Sequence, residues 1–414
     1  MDVYLGGLNP AQLQAVTHGG SEPLLIIAGA GSGKTHTLAH RVAHLILEGA
    51  DPGRLLLLTF TRRAAAEMSR RAEEIVARAS QSQGKARPPR IAWSGTFHAV
   101  ANRVLRLFAE ALQLDPAFTV LDRSDSADLM AVLRADLGFA KQKRRFPKKG
   151  TCLSIYSRAV NAREDVEVAL DRYFPWCQEW GPELRELFRA YVGRKSEQGL
   201  LDYDDLLLYW FYLMQEPALR EQVAQLFDCV LVDEYQDTNA LQAEILRALK
   251  PTGNGVTVVG DDAQSIYGFR AATIRNILDF PTSFETPGNV VTLEQNYRST
   301  QPILEAANAV IGEAKEQYCK KLFSTRESLQ RPIIATVEDE TVQVDYVVEQ
   351  ILGAREAGTP LKQQAVLFRT SHHSDALEVE LGRRNIPYVK YGGLKFLEAA
   401  HVKDLVCVLR WAEN

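Results

Sequence analysis

The sequence predicts an α/β protein built on parallel sheet, with a helical insertion and a second, incomplete α/β segment towards its C-terminal end. Three observations carry this expectation. Apolar-rich runs at 24–28, 55–60, 227–232 and 256–260 each end in a turn, and the first two pass into helical patterns. Such runs lack the alternation of a half-exposed strand and suit strands buried on both faces. Between about residues 100 and 200 the strand signals fade and helical periodicity dominates. Beyond residue 332, strand-like runs at 332–337, 365–369 and 387–391 alternate with helical patterns at 342–354 and 375–384. The expected division is a first lobe in two parts, 1–100 and 201–282, a helical insertion at 101–200, and a second lobe at 283–414.

The first run is the most informative. It passes through Ala28 into Gly29-Ala30-Gly31-Ser32-Gly33, then Lys34-Thr35, then a helical pattern on Leu38, Val42, Leu45 and Ile46. This is the strand–loop–helix context of a phosphate-binding P-loop. Glycines let the backbone curl so that successive N–H groups face one anion, and the helix start adds its positive dipole end. Lys34 would reach the terminal phosphates, and the Thr35 hydroxyl would ligate Mg²⁺. Ala28 stands where the strict pattern has its first glycine.

Composition narrows the classes. The 414 residues are 46% hydrophobic and 24% charged, as in globular proteins with large cores, and the net charge of −4 gives no overall basic field. A nucleic-acid site must therefore be a local patch or groove. The five scattered cysteines contain no CxxC pair, which argues against a disulfide framework or zinc site and fits a reducing cytoplasm. No apolar run reaches membrane-spanning length, and the first residues do not begin a signal peptide.

Along the chain, residues 8–16 read as a helix capped by Asn9 with Pro10 at its first position. Its Gln12 amide is either an adenine reader or a solvated helix residue. After 55–60, Phe60, Thr61 and Arg62 fall at a strand's C-terminal end, where open α/β sheets bind ligands. An aromatic, a hydroxyl and a guanidinium there suit stacked bases and phosphates, or a core Phe beside solvated arginines. Residues 79–90 read as a flexible basic loop, and His98 sits at a strand-to-helix switch as a phosphate or base contact, or as a structural histidine. The basic run 141–149 is a solvated face or a duplex-contacting surface. The run 227–232 ends in Asp233-Glu234, the acidic pair nucleotide hydrolysis needs: Asp233 for Mg²⁺, Glu234 for the attacking water.

Quoted in order, AGAGSGKT, LLTFTRRAAAEM, GTFHAVANRVLR, LVDEYQDTN, VGDDAQSIYGFR and LEQNYRST resemble superfamily 1 DNA helicases of the UvrD/Rep type, and LNPAQLQAV resembles their adenine-reading segment. The resemblance covers essentially the whole chain. It implies two RecA-like lobes with ATP between them, single-stranded DNA across their tops, and 3′-to-5′ translocation driven by ATP hydrolysis at single-strand/duplex junctions. By position it gives Gln12 the adenine, Tyr297 a stack on the base, Gln264 and Arg298 the γ-phosphate, and Phe60, Tyr203, Tyr267, Phe269 and Arg270 the DNA path. His36 stands where many relatives carry arginine, and Phe269 where the pattern usually has tryptophan. The turn at 391–396 is a close-approach point for DNA backbone or a plain βα turn. The family's threonine–glycine DNA motif and second ATP-site arginine are not found between 300 and 414. The sequence thus reads as the N-terminal part of a longer helicase, expected to unwind weakly or not at all. It would also expose an unpaired sheet edge near Val406, Val408 and Trp411. Two other readings stand beside it: an ATP-gated single-strand-binding module without turnover, and the motor part of a helicase–nuclease.

Overall fold

The computed structural model describes residues 3–81, 90–139 and 145–391, with Leu405 and Val408. Most of the 79–90 loop, residues 141–144 of the basic run, the 392–396 turn, Val406 and Trp411 lie outside the described residues. The chain divides into two compact units, one ending at Arg331 and one starting at Pro332.

In the first unit, helix α1 (Pro10–Val16) precedes β1 (Leu24–Ala28), α2 (Lys34–Leu47), β2 (Leu55–Leu58), α3 (Arg62–Gln81), β3 (Trp93–Gly95) and α4 (Phe97–Leu107). The insertion runs from β4 (Thr119–Val120) through α5 (Arg123–Asp136), α6 (Lys149–Ala162), α7 (Val166–Tyr173) and α8 (Gly181–Glu197) to β5 (Leu200–Leu201). Then come α9 (Tyr203–Gln215), α10 (Pro217–Ala224), β6 (Cys229–Val232), α11 (Ala240–Leu249), β7 (Val256–Gly260), α12 (Arg275–Leu278), β8 (Asn289–Leu293) and α13 (Gln301–Ile311). Six strands form one parallel sheet in the order β3-β2-β6-β7-β1-β8.

The apolar-rich runs are explained by two cores. Alternate side chains of each strand point to opposite faces. Leu25, Ile27, Leu56, Leu58, Val230 and Val258 pack with Trp210, Phe227 and Phe280, whereas Leu24, Ile26, Leu55, Leu57 and Leu231 pack under Leu38, Val42 and Met68. Each such buried side chain contributes about 1.5–3 kcal/mol. Strand β8 follows the expected boundary at residue 282, yet it pairs with β1 from Leu24↔Asn289 to Ala28↔Leu293. β1 is thus flanked by β7 and β8. The glycine loop, the turn from residue 261 and the segment from residue 294 all leave the same C-terminal edge of the sheet.

The insertion has its own core, with Met130, Phe146, Ile155, Trp180, Leu187 and Tyr191 among its buried residues. Its entry and exit strands pair in parallel, Thr119↔Leu200 and Val120↔Leu201, which closes the stem. Just beyond, buried Lys195 donates to Asp202 and Asp205, both at 2.6 Å, and Asp202 and Asp205 form the capping box of α9.

The second unit contains α14 (Glu340–Glu356) and α15 (Asp375–Arg383), packed around Val344, Val348, Leu377, Leu381 and Ile386. Residues 332–337, 365–369 and 387–391, expected as strands, are in no ladder, and Ile334 and Leu367 are 95% and 94% exposed. A strand is stabilised by its neighbour's N–H and C=O groups, and these runs pair with nothing among the described residues.

Candidate functional site

The glycine loop is shaped by backbone that few residues tolerate. Gly31 and Gly33 have φ of 84° and 90°, and Gly33 caps α2. A Cβ on Gly31 would meet Arg298 Cβ at 2.7 Å, so the loop is also closely covered. Inside it, the Ser32 hydroxyl donates to the Gly29 carbonyl at 2.8 Å. Ala28 ends β1, Ala30 is exposed at the loop tip, and Lys34 and Thr35 open α2.

Gln12 is 3% exposed, so the solvated reading is wrong. Its Oε1 accepts from the Asn9 N–H at 3.1 Å and its Nε2 donates to the Ser32 carbonyl at 3.2 Å. It therefore joins the α1 capping box to the glycine loop. From the far side, Asn296 Nδ2 donates to the Ala30 carbonyl at 2.6 Å and the Tyr297 N–H to the Gly31 carbonyl at 2.8 Å. The Tyr297 hydroxyl accepts from Asn9 Nδ2 at 2.9 Å, while its ring is half exposed. Arg298 is exposed, its backbone N–H held by Asn296 Oδ1 at 2.9 Å.

Strand β6 delivers the acidic pair. Lys34 Nζ lies 2.7 Å from Glu234 Oε2, which also accepts from Gln236 Nε2 at 2.9 Å. Glu234 adopts a left-handed conformation, φ 50° and ψ 48°, which costs a non-glycine residue roughly 1–2 kcal/mol. Asp233 is buried, and its Oδ1 has no hydrogen-bond partner. Burial, reinforced by the Glu234 charge, pushes its pKa up to about 7. Asp237 has an orphan Oδ1 too, and burial raises it to about 6. Gln264 sits beyond β7, its Nε2 donating to Asp261 Oδ2 at 2.5 Å.

A cleft of about 1260 Å³ opens beside this pair. It is lined by Asp233, Glu234 and Asp237, and also by Phe60, Thr61, Arg62, His98, Tyr203, Phe269 and Arg270. Phe60 stacks at 4.7 Å on Tyr267, which lies 5.8 Å from Phe269, and the Arg270 guanidinium covers both Tyr267 and Phe269 at 5.2 and 5.5 Å. Phe269 is 76% exposed, so core packing does not explain it. Thr61 Oγ1 accepts from the Ala64 N–H at 3.1 Å and caps α3, with Arg62 exposed beside it. His98 stands edge-on to Tyr203 at 5.8 Å, and burial lowers its pKa to about 4. A neutral imidazole keeps one N–H donor, so the phosphate, base and structural readings all remain.

Several contributors had no sequence signal of their own. Arg158 of the insertion donates to the Gly268 carbonyl at 2.8 Å and lies 3.6 Å over Tyr173, another cleft residue. Asn161 bridges Asp204 at 2.6 Å and Asn239 at 2.7 Å. Asp237 and Asn296 lie within LVDEYQDTN and LEQNYRST, with no pattern of their own that marks them out.

Comparison with known proteins now bears on this geometry. The family model for the UvrD/REP helicase N-terminal domain matches residues 8–285, and that for the UvrD-like helicase C-terminal domain matches residues 291–414. The chain belongs to the UvrD/Rep helicase family. It is 36% identical to the ATP-dependent DNA helicase UvrD1 of Mycobacterium tuberculosis, over all of this chain and 53% of that protein. Against the ATP-dependent DNA helicase PcrA of Leuconostoc citreum the identity is 36%, over all of this chain and 54% of the relative. DNA helicase II of Haemophilus influenzae is 35% identical, with 55% of its length covered. The chain thus spans about half the length of the curated relatives it matches. Among the described residues, no helix of this family member is long and apolar enough to cross a membrane.

Proposed function

We propose that this chain is the motor part of an ATP-dependent 3′-to-5′ DNA helicase or single-strand translocase. One observation carries the reading: the acidic pair beside Lys34 lines the same cleft as Phe60, Phe269 and Arg270. Nucleotide and strand would then act on one wall.

The residues present fit Mg²⁺-ATP. Lys34 is a cation on a curled, helix-capping loop, and Asp233 is a buried carboxylate with a free oxygen. Mg²⁺ takes one or two protein ligands and otherwise phosphate and water. Thr35 and Asp233 would hold it, and bound Mg²⁺-ATP supplies the phosphoanhydride whose cleavage drives movement. Lys34 leaves Glu234 for the phosphates, which frees the Glu234 carboxylate to orient and deprotonate a water. Gln12 and Tyr297 serve the base, and Arg298 and Gln264 serve the terminal phosphate. Phe60, Tyr203, Tyr267 and Phe269 stack bases, and Arg62 and Arg270 meet phosphates. The four-part division at 100, 200 and 282 is the functional division we favour. Slow turnover and no unwinding by these 414 residues alone belong to the same proposal.

Two titrations on the chain as it stands test the reading. A fluorescent ATP analogue with Mg²⁺ is expected to bind the parent and to be lost in Lys34→Ala. Labelled oligo(dT) is expected to bind the parent and to weaken in Phe269→Ala. A parent that binds neither probe overturns the proposal.

A further inference from the structure

The stretch Tyr318-Cys319-Lys320-Lys321-Leu322-Phe323 belongs to no motif, yet it touches both halves of the site. Lys320 is buried, with its side chain 3% exposed. Its ammonium lies 2.6 Å from Asp261 Oδ1 and also pairs with Asp262 Oδ1. A lysine so far from water persists only where its charge is fully met.

Asp261 is the junction. Its Oδ2 accepts from Gln264 Nε2 at 2.5 Å, and its N–H donates to Gln236 Oε1 at 3.0 Å. Gln236 Nε2 in turn donates to Glu234, the partner of Lys34. An unbroken polar chain therefore runs from Lys34 to Lys320. Two residues on, Leu322 provides a second connection. A Cβ on Gly29 would meet Leu322 Cδ2 at 2.7 Å, so this side chain rests on the glycine loop. Asn308 holds the Leu322 backbone from both sides, Nδ2 to its carbonyl at 2.8 Å and Oδ1 from its N–H at 3.1 Å. Phe323 is bridged to Gln295, next to the Asn296 that bonds Ala30.

Building on the function proposed above, we infer that Lys320 is a positioning residue that couples the nucleotide loop to the DNA-facing turn 267–270. A shift of the loop against Leu322 reaches Asp261 through Lys320, and Asp261 sets Gln264, three residues before Tyr267. Lys320 itself lies outside the residues assigned to either ligand.

The test is a linkage measurement that needs no turnover. The affinity for a fluorescent, non-hydrolysable ATP analogue with Mg²⁺ is measured with and without saturating oligo(dT), and the ratio is the coupling factor. The parent is expected to show a factor of about five or more. Lys320→Arg, which keeps the charge and changes its geometry, should bring the factor below about two while DNA-free nucleotide affinity stays within about twofold. Leu322→Ala should also bring the factor below about two through the other connection, and it keeps the test open if Lys320→Arg fails to fold. A merely structural role would lower the thermal midpoint in each variant and leave the factor alone. Variants that keep the parent's factor overturn this inference only. A parent that binds neither ligand overturns the function proposed above and this inference with it.

Discussion

The Lys34 ammonium stands 2.7 Å from the Glu234 carboxylate, pairing the cation we assign to phosphate with the carboxylate we assign as hydrolytic base. Each holds the other until a triphosphate competes for the lysine. Replacing Glu234 with Gln removes that competitor, so Glu234→Gln should bind Mg²⁺-nucleotide as tightly as the parent or a few-fold tighter. Lys34→Ala should lose at least tenfold, because a charge-assisted contact of about 1.5–3 kcal/mol disappears. Titration with a fluorescent analogue decides; a Glu234→Gln variant that binds tenfold more weakly argues against the pair as a resting latch.

The Asp233 carboxyl has its pKa pushed up to about 7 by burial and by Glu234. The ordinary value is about 4. Between those values the folded protein holds a proton that the unfolded chain has released, so stability falls as pH rises through the window. Asp233→Asn removes the effect. The variant should gain roughly 1–3 kcal/mol over the parent at pH 8 and little at pH 4. Mg²⁺-ATP should stabilise the parent and not the variant. Thermal melts across pH, with and without nucleotide, check both halves.

The aromatic turn separates stacking from charge. Phe269→Ala and Tyr267→Ala should each weaken single-strand binding by about 1–3 kcal/mol. Tyr267→Ala should also lower stability, since Tyr267 packs on Phe60 at 4.7 Å. Arg270→Ala should chiefly reduce the salt dependence, by about one unit of slope. Anisotropy at several salt concentrations tells them apart, and equal losses at all three positions would refute the assigned path.

The buried Lys195 neutralises Asp202 and Asp205 at the neck of the insertion. Asp205 is pushed up to about 7 by burial and then by Asp202. Lys195→Met strands two carboxylates and should cost about 3–5 kcal/mol at neutral pH, with less lost at pH 5, where Asp205 is protonated. Urea denaturation at the two pH values measures it.

The sheet was legible because burial on both faces writes itself as apolar-rich runs, and the glycine loop because its φ angles demand glycine. The insertion was legible as a loss of strand pattern. The strands expected after residue 332 misled because alternation and apolar content cannot say whether a partner strand lies alongside. The burial of Gln12 was not legible because a helix pattern does not reveal that the glycine loop lies on top of it. His98 was ambiguous for a related reason: its charge is set by burial, which one residue's neighbours in sequence do not encode. Lys320 was invisible, since its meaning comes from Asp261 and Asp262, nearly 60 residues away. Long-range pairing of this kind leaves no local period.

The most direct measurement is ATP hydrolysis by the chain with and without single-stranded DNA, repeated in Glu234→Gln. The expected result is slow hydrolysis, below the ordinary range of about 1–10³ per second, raised by oligo(dT). In Glu234→Gln hydrolysis should be abolished while nucleotide still binds. Hydrolysis that ignores DNA, or that persists in Glu234→Gln, would contradict a motor whose acidic pair and DNA cleft act as one site.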